Sequence, residues 1–279
     1  CAGLFLPISI GMPLGGNADA TVSVQIVSYG DQEKLLLGRD ITKWERLETT
    51  RRDFVANVSH ELRTPLTVLG GFLETLTDMT EPDPDMTRRS LRLMTQQAVR
   101  MSRLVEDLLT LSRIESTVAL PKEDPVDIED LLDHLHQDAL ALSNGRHAIA
   151  LHVETSDALT GSADELRSAF GNLVSNAIRY TPEGGSIDIR WASVDGRPVF
   201  SVTDTGIGVA PQHIDRLTER FYRVDRSRSR ETGGTGLGLA ITKHVLSRHH
   251  AKLDIASELG KGSTFSAVFE PEQRVPAHH

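Results

Sequence analysis

The sequence predicts a multidomain chain: an all-α helical hairpin, followed by an α+β two-layer sandwich and preceded by a short β segment. Three patterns carry that expectation. Apolar residues recur every three or four positions from Ile41 to Leu76, and a second stripe of the same period runs from Leu91 to Leu108. Beyond Pro125, helical and strand-like stretches interleave without the regular alternation of a parallel α/β sheet. The length of 279 residues, 39% of them hydrophobic and 25% charged, is ordinary globular composition and suits two modest domains or slightly more.

A formal charge of −9 and a pI near 5.7 argue against a nucleic-acid coat and favour protein partners or small ligands. Any anion bound by such a chain needs locally arranged donors. The single cysteine, Cys1, excludes an internal disulfide framework and fits a reducing compartment. No apolar run approaches the roughly 18 to 20 residues of a membrane span. The chain opens without methionine and is read as part of a longer protein, so that observation concerns this stretch only. The terminal His278 and His279 are given no metal role.

Residues 21 to 38 alternate apolar and polar, break at Tyr29-Gly30-Asp31 and resume at Leu35 to Leu37, the pattern of a β-hairpin. From Ile41 the period changes. Ile41, Trp44, Leu47, Phe54, Val58, Leu62, Leu66, Leu69, Leu73 and Leu76 line one seam of a helix of about ten turns. The Thr80-Glu81-Pro82-Asp83-Pro84-Asp85 run breaks it. Leu91, Met94, Ala98, Met101, Val105 and Leu108 then form the stripe of a second helix. A two-helix hairpin cannot bury both stripes alone, so a homodimeric four-helix bundle is expected. Pro121 and Pro125 bracket a linker. After it, 127–142, 163–180 and 235–249 read as helices, and 148–154, 186–194, 198–204, 252–257 and 263–269 as strands.

Three motifs of the C-terminal half carry chemistry. DTGIG, Asp204 to Gly208, follows the apolar strand Val199 to Val202 and sets a carboxylate at a strand end beside Gly206 and Gly208. A carboxylate there accepts the exocyclic amino hydrogen of adenine and rejects the carbonyl of guanine. GGTGLGLAI opens a helix, and Gly234, Gly236 and Gly238 let backbone amides face an anion such as a triphosphate. In NLVSNAIRYT, Asn172 and Asn176 lie one turn apart on one helical face, followed by Arg179 and Tyr180. Amide oxygens of this kind join an Mg²⁺ that also takes phosphate oxygens and waters. Between these motifs, FYRVDRSRSR is short of apolar residues and reads as a lid supplying positive charge.

Taken together with SHELRTPL, these motifs resemble the sensor histidine kinases of two-component systems. SHELRTPL resembles the phosphoacceptor box, NLVSNAIRYT the N box, DTGIG the G1 box, FYR the F box and GTGLGL the G2 box, all in the family's order. The wider run RRDFVANVSHELRTPLTVLGGFLETL is similar to the phosphate-starvation branch, and YGDQEKLLLGRDITKWERLE resembles the exit of a PAS sensor domain. The resemblance implies a Bergerat-type ATP-binding sandwich over 125–271, a dimerisation and phosphotransfer hairpin over 43–118, and part of a PAS-like domain over 1–42. It implies ATP and Mg²⁺ as ligands. The nucleotide contacts would fall on Asn172, Asn176, Arg179, Tyr180, Asp204, Gly206, Gly208, Phe221, Arg223, Gly234, Thr235, Gly236, Leu237, Gly238 and Thr264, with Asn176 on the metal. It also implies a response regulator as partner, no direct nucleic acid, and the cytoplasmic portion of a bacterial protein anchored in the inner membrane by segments absent here. Arg179 stands where the family commonly has lysine.

Within that resemblance His60 is the phosphoacceptor. Val58 and Leu62 sit on the seam while His60 projects from the outer face. Neutral imidazole attacks phosphorus with one nitrogen if the other is held protonated, and the adjacent Glu61 is the expected acceptor and general base. The lid cations Arg223, Arg226, Arg228 and Arg230 are not ranked by the sequence. Thr64, one turn along from His60, is expected to serve dephosphorylation of the regulator, and Pro65 to kink the helix. Two rivals from other classes stand beside this reading. One is an ATPase acting as a conformational machine, which would need a catalytic glutamate near Asn172, the nearest acid being Glu165; the other is a scaffold without kinase activity.

Overall fold

The computed structural model describes residues 8–11, 20–29, 33–79, 83–116, 124–224 and 234–275. They divide into two compact units that meet within one helix, Cys1–Thr67 and Val68–His279.

In the first unit, β1 (Ile8–Gly11), β2 (Thr21–Tyr29) and β3 (Glu33–Asp40) form an antiparallel meander in the order β1-β2-β3. The alternating pattern predicted β2 and β3; β1 is an addition, paired from Ile8 opposite Val24 to Gly11 opposite Thr21. The chain passes from β3 into α1 (Thr42–Asp78) through a polar clasp. Asp40 Oδ1 accepts from the Thr42 amide at 2.9 Å and from its hydroxyl at 2.6 Å, and the Thr21 amide donates to Thr42 Oγ1 at 2.8 Å. These bonds hold the Asp40 carboxyl below its ordinary pKa. They also tie the start of β2, the end of β3 and the helix N-terminus together, satisfying amides that a helix start leaves open.

The helix α1 runs through Pro65 without interruption, so the expected kink does not end or divide it. Pro65 is buried, and a proline inside a helix is tolerated where surrounding packing compensates the missing N–H.

In the second unit, α2 (Pro84–Ser116) leads to a five-stranded sheet in the order β5-β7-β8-β10-β9. Its strands are β5 (Ala148–Val153), β7 (Ser186–Val194), β8 (Arg197–Asp204), β9 (Ala251–Glu258) and β10 (Gly262–Phe269). β5 pairs with β7 in parallel; the other pairs are antiparallel. Helices α3 (Ile128–Ser143), α4 (Ala163–Tyr180) and α6 (Gly238–Arg248) complete a second layer, and α5 (Pro211–Ile214) is a single turn. The minor sheet β11-β6-β4, from Arg274–Val275, Ala158–Thr160 and Pro125–Val126, carries too little pattern to be read from sequence.

Burial alternates along β7, β8 and β10, which buries Ile187, Ile189, Trp191, Phe200, Val202, Phe265, Ala267 and Phe269 beneath the helices. Phe170 of α4 stacks on Phe200 with ring centroids 3.9 Å apart and meets Phe269 edge-on at 6.3 Å. Asp127 caps α3 by accepting from the Asp130 amide, and Asn144 ends it in the left-handed region at φ 49°.

On α2 the buried residues are Ser90, Leu104, Leu111 and Ile114, whereas Leu91 and Val105 of the expected stripe are exposed. The reason lies in packing: the C-terminal half of α2 lies against α6, so one face serves the sandwich while the predicted stripe stays open in the single chain.

Candidate functional site

Asp204 ends β8 with only 5% of its surface exposed. Its Oδ1 accepts from the Gly206 amide at 2.8 Å, and the backbone of Ser263 supplies a second bond. Burial pushes this carboxyl above its ordinary pKa, and those two bonds pull it part of the way back. The loop after Asp204 is pinned from both sides. The Ile207 amide donates to the Tyr180 carbonyl at the end of α4, and the Gly260 amide donates to the Ile207 carbonyl at 2.8 Å. Val209 N–H donates to Ser257 Oγ at 2.8 Å.

Glycine is required at two points of this cradle. A Cβ on Gly208, at φ +62°, would stand 2.0 Å from the Glu258 carbonyl oxygen, and one on Gly262, at φ +115°, 1.9 Å from that of Asp204.

The second wall is α4. Asn172 and Asn176 are half-buried on one face, and Asn172 Oδ1 approaches Gly238 at the start of α6. Arg179 and the Tyr180 hydroxyl both face Gly234. Burial lowers the Arg179 pKa, with the like charges of Arg103 and Arg223 adding to it and Tyr180 and Asp107 opposing.

The loop before α6 is held by the FYR segment. The Phe221 amide donates to the Gly236 carbonyl at 2.8 Å, and Arg223 donates to the Gly234 carbonyl. Phe221 adopts φ +62°, a strained value for a residue with a bulky side chain, opposite Gly236 at φ +75°. Among the described residues no side-chain cap bond closes the start of α6, and a helix start leaves its first amides available to an acceptor such as an anion. Thr235 is buried, and its hydroxyl donates to Asp107 Oδ2 of α2 at 2.6 Å.

The donor set fits an adenine nucleotide. It pairs a buried carboxylate in a glycine cradle with amide oxygens, guanidiniums and an uncapped helix start for phosphates. In the first unit His60 is exposed on α1, Glu61 is half-buried and Thr64 is exposed, its hydroxyl donating to the His60 carbonyl at 3.2 Å.

The family model of the His Kinase A (phospho-acceptor) domain matches residues 50–117. That of the histidine kinase-, DNA gyrase B- and HSP90-like ATPase matches residues 161–273. The phosphate regulon sensor protein PhoR of Pseudomonas aeruginosa is 53% identical over 268 residues, 96% of this chain and 60% of that protein. PhoR of Haemophilus influenzae is 40% identical over 88% of this chain and 58% of that protein. The chain belongs to the sensor histidine kinases of two-component systems. The chain spans about three fifths of the length of these curated relatives. Full-length ShkA, solved in complex with AMPPNP, is 29% identical with a TM-score of 0.58, covering 81% of this chain and 47% of that one.

The fold brings Asp204, Gly206 and Gly208 together, and gathers Asn172, Arg179, Tyr180, Phe221, Arg223, Gly234, Thr235, Gly236 and Gly238 along the α4–α6 side. Leu237 is buried and contributes backbone. Thr264 pairs its Oγ1 with Thr203 Oγ1 at 3.0 Å, and Ser263 is the residue paired opposite Asp204. A one-residue offset on a strand moves a side chain to the other face. Arg226, Arg228 and Arg230 lie outside the described residues. Ser263, Gly262 and Asp107 were missed by sequence reading; cross-strand register signals the first two, and nothing local signals the third.

Proposed function

We propose that this chain is the cytoplasmic catalytic part of a dimeric sensor histidine kinase that phosphorylates His60 from Mg-ATP and passes the phosphoryl group to an aspartate of a response regulator. The observation that carries this reading is the buried Asp204 in its glycine cradle, joined to the arginine-lined loop before α6. An exposed histidine on a long helix supplies the acceptor. The AMPPNP bound by ShkA supports the nucleotide class.

In the reaction one imidazole nitrogen of His60 attacks the γ-phosphorus of ATP, a P–N bond forms, the bond to the β,γ-bridging oxygen breaks, and ADP leaves with that electron pair. Glu61 accepts the proton of the other ring nitrogen and holds the reactive lone pair outward. Asp204 fixes the base, and Arg179 and Arg223 stabilise the charge that develops on the leaving phosphates. Bound Mg²⁺ would be held by Asn176 with phosphate oxygens and would neutralise phosphate charge.

Phosphohistidine is a reactive donor suited to a carboxylate acceptor. Thr64 and Glu61 would position a water for the reverse duty, hydrolysis of the regulator's aspartyl phosphate. The PhoR relatives support a role in phosphate-starvation signalling. The functional division is a PAS-like exit over 1–42, the phosphotransfer and dimerisation helices over 43–118 and the ATP-binding domain over 125–271, with a membrane anchor in the part of the protein outside this chain.

The surroundings of Glu165 speak against the ATPase rival. Glu165 bonds Arg248 at 3.1 and 3.3 Å and lies 3.8 Å from His249, which makes it a structural partner of α6. The test is a chase of labelled phosphoprotein with a receiver domain of the PhoR-partner type. Label moving to the receiver, with Thr64→Ala slowing its later loss at least several-fold, supports both activities. Label that stays on the chain contradicts the transfer step, and unchanged loss in Thr64→Ala contradicts the phosphatase role.

A further inference from the structure

The end of α2 reaches the loop that the nucleotide reading assigns to phosphates. Thr235 lies between Gly234 and Gly236, and its single hydroxyl hydrogen goes to Asp107 Oδ2 at 2.6 Å while its oxygen accepts from the Leu237 amide at 3.3 Å. Three guanidiniums surround this contact. Arg179 comes from α4, Arg223 holds the Gly234 carbonyl, and Arg103 lies one turn before Asp107 on α2. Glu106, exposed on α2, adds a second negative field to Asp107. Burial raises the Asp107 pKa, and like charge depresses that of Arg179 after burial does.

Among the described residues Arg179 faces the like charges of Arg103 and Arg223 against the carboxylate of Asp107, and a polyanion would be attracted to that side. A phosphate group is drawn to the same hydroxyl that Asp107 already holds. Two anions cannot both accept one hydroxyl hydrogen, and at hydrogen-bond distance they repel.

We propose that Asp107 is a built-in competitor of the nucleotide: its carboxylate occupies the Thr235 hydroxyl that a phosphate would otherwise claim, so nucleotide binding and seating of Asp107 exclude each other. The inference rests on the nucleotide reading above. By linkage the effect is reciprocal: seated α2 weakens nucleotide binding, and bound nucleotide removes one anchor of α2 from the catalytic domain. The other anchors are the buried Leu104, Leu111 and Ile114, the Glu115 ion pair with Arg220, and the Ile114 carbonyl that accepts from Arg248. They hold the helix end while Asp107 gives way.

The experiment is calorimetric titration of the 279-residue chain with Mg-AMPPNP and, separately, with adenosine, in wild type, Asp107→Asn and Asp107→Ala. The expected result is AMPPNP binding tighter by about 10-fold in Asp107→Ala, the scale of one charge-assisted hydrogen bond, and by less in Asp107→Asn. Adenosine, which has no phosphate, should bind all three alike. Hydrogen exchange over residues 104–115 of the wild type should quicken with AMPPNP and not with adenosine. If Asp107→Ala fails to fold, the isosteric Asp107→Asn and the wild-type exchange carry the test. Unchanged or weaker AMPPNP binding in the folded variants would overturn the competition, as would an equal gain for adenosine. A wild type that binds neither ligand would instead overturn the nucleotide reading beneath it.

Discussion

Asp204 is a stability cost retained in the core. Its folded pKa is raised by burial, so the folded chain holds the proton more strongly than the unfolded chain, whose carboxyl titrates near 3.8. Stability therefore falls as pH rises from that value through the folded pKa. Asp204→Asn keeps an oxygen for the Gly206 amide and removes the charge. It is expected to melt higher than wild type at pH 7, with the advantage fading as pH falls below the ordinary carboxyl value, and to lose ATP binding because its NH₂ faces the adenine amino group. Parallel thermal melts and nucleotide titrations check both halves; a lower melting point at pH 7 contradicts the burial cost. Gly262→Ala would place a methyl against the Asp204 carbonyl and should cost about 3 kcal/mol in denaturant unfolding. Legibility differs residue by residue. Asp204, Gly206 and Gly208 were readable because a carboxylate and two glycines at a strand end have few other uses. Ser263 was not, because its proximity is created by pairing β10 with β8, and Asp107 sits far from Thr235 in sequence.

At the scale of elements, α4 joins the sheet to the site. Phe170 anchors it on Phe200 and Phe269, while Asn172 and Arg179 of the same helix approach Gly238 and Gly234 at the start of α6. Phe170→Ala is expected to cost about 3 to 5 kcal/mol through the cavity it leaves. Urea unfolding read by the near-ultraviolet signal of Trp191 should record that loss, and a cost below 1 kcal/mol would mean the aromatic stack does not hold the helix. The long elements were legible because their periods are strong: α1, α4, β7 and β8 fall where the pattern put them. One feature escaped for a physical reason. α2 is apolar on more than one face, and the buried face is chosen by contact with α6, which a one-dimensional stripe does not reveal. Pro65, read from sequence as a kink site, lies buried inside a helix whose hydrogen-bonded span continues past it.

The whole molecule leaves its long helices incompletely covered. Leu73 is 53% exposed on α1 and Leu91 52% exposed on α2 in the single chain, on the seams whose spacing called for a second copy. Sedimentation should find a dimer at micromolar concentration, and Leu73→Glu should shift it toward monomer by at least about 10-fold in dissociation constant. A wild-type monomer at that concentration would contradict the bundle. The family boxes made the chemistry legible, whereas the coupling between α2 and the ATP-binding domain needed coordinates. The central claim is that His60 takes the phosphoryl group. Incubating wild type and His60→Gln with γ-labelled Mg-ATP, then treating the products with acid and alkali, tests it most directly. Acid-labile, alkali-stable label on the wild type and none on the variant is the predicted result; label retained by His60→Gln, or ATP consumed with no labelled protein, would contradict it.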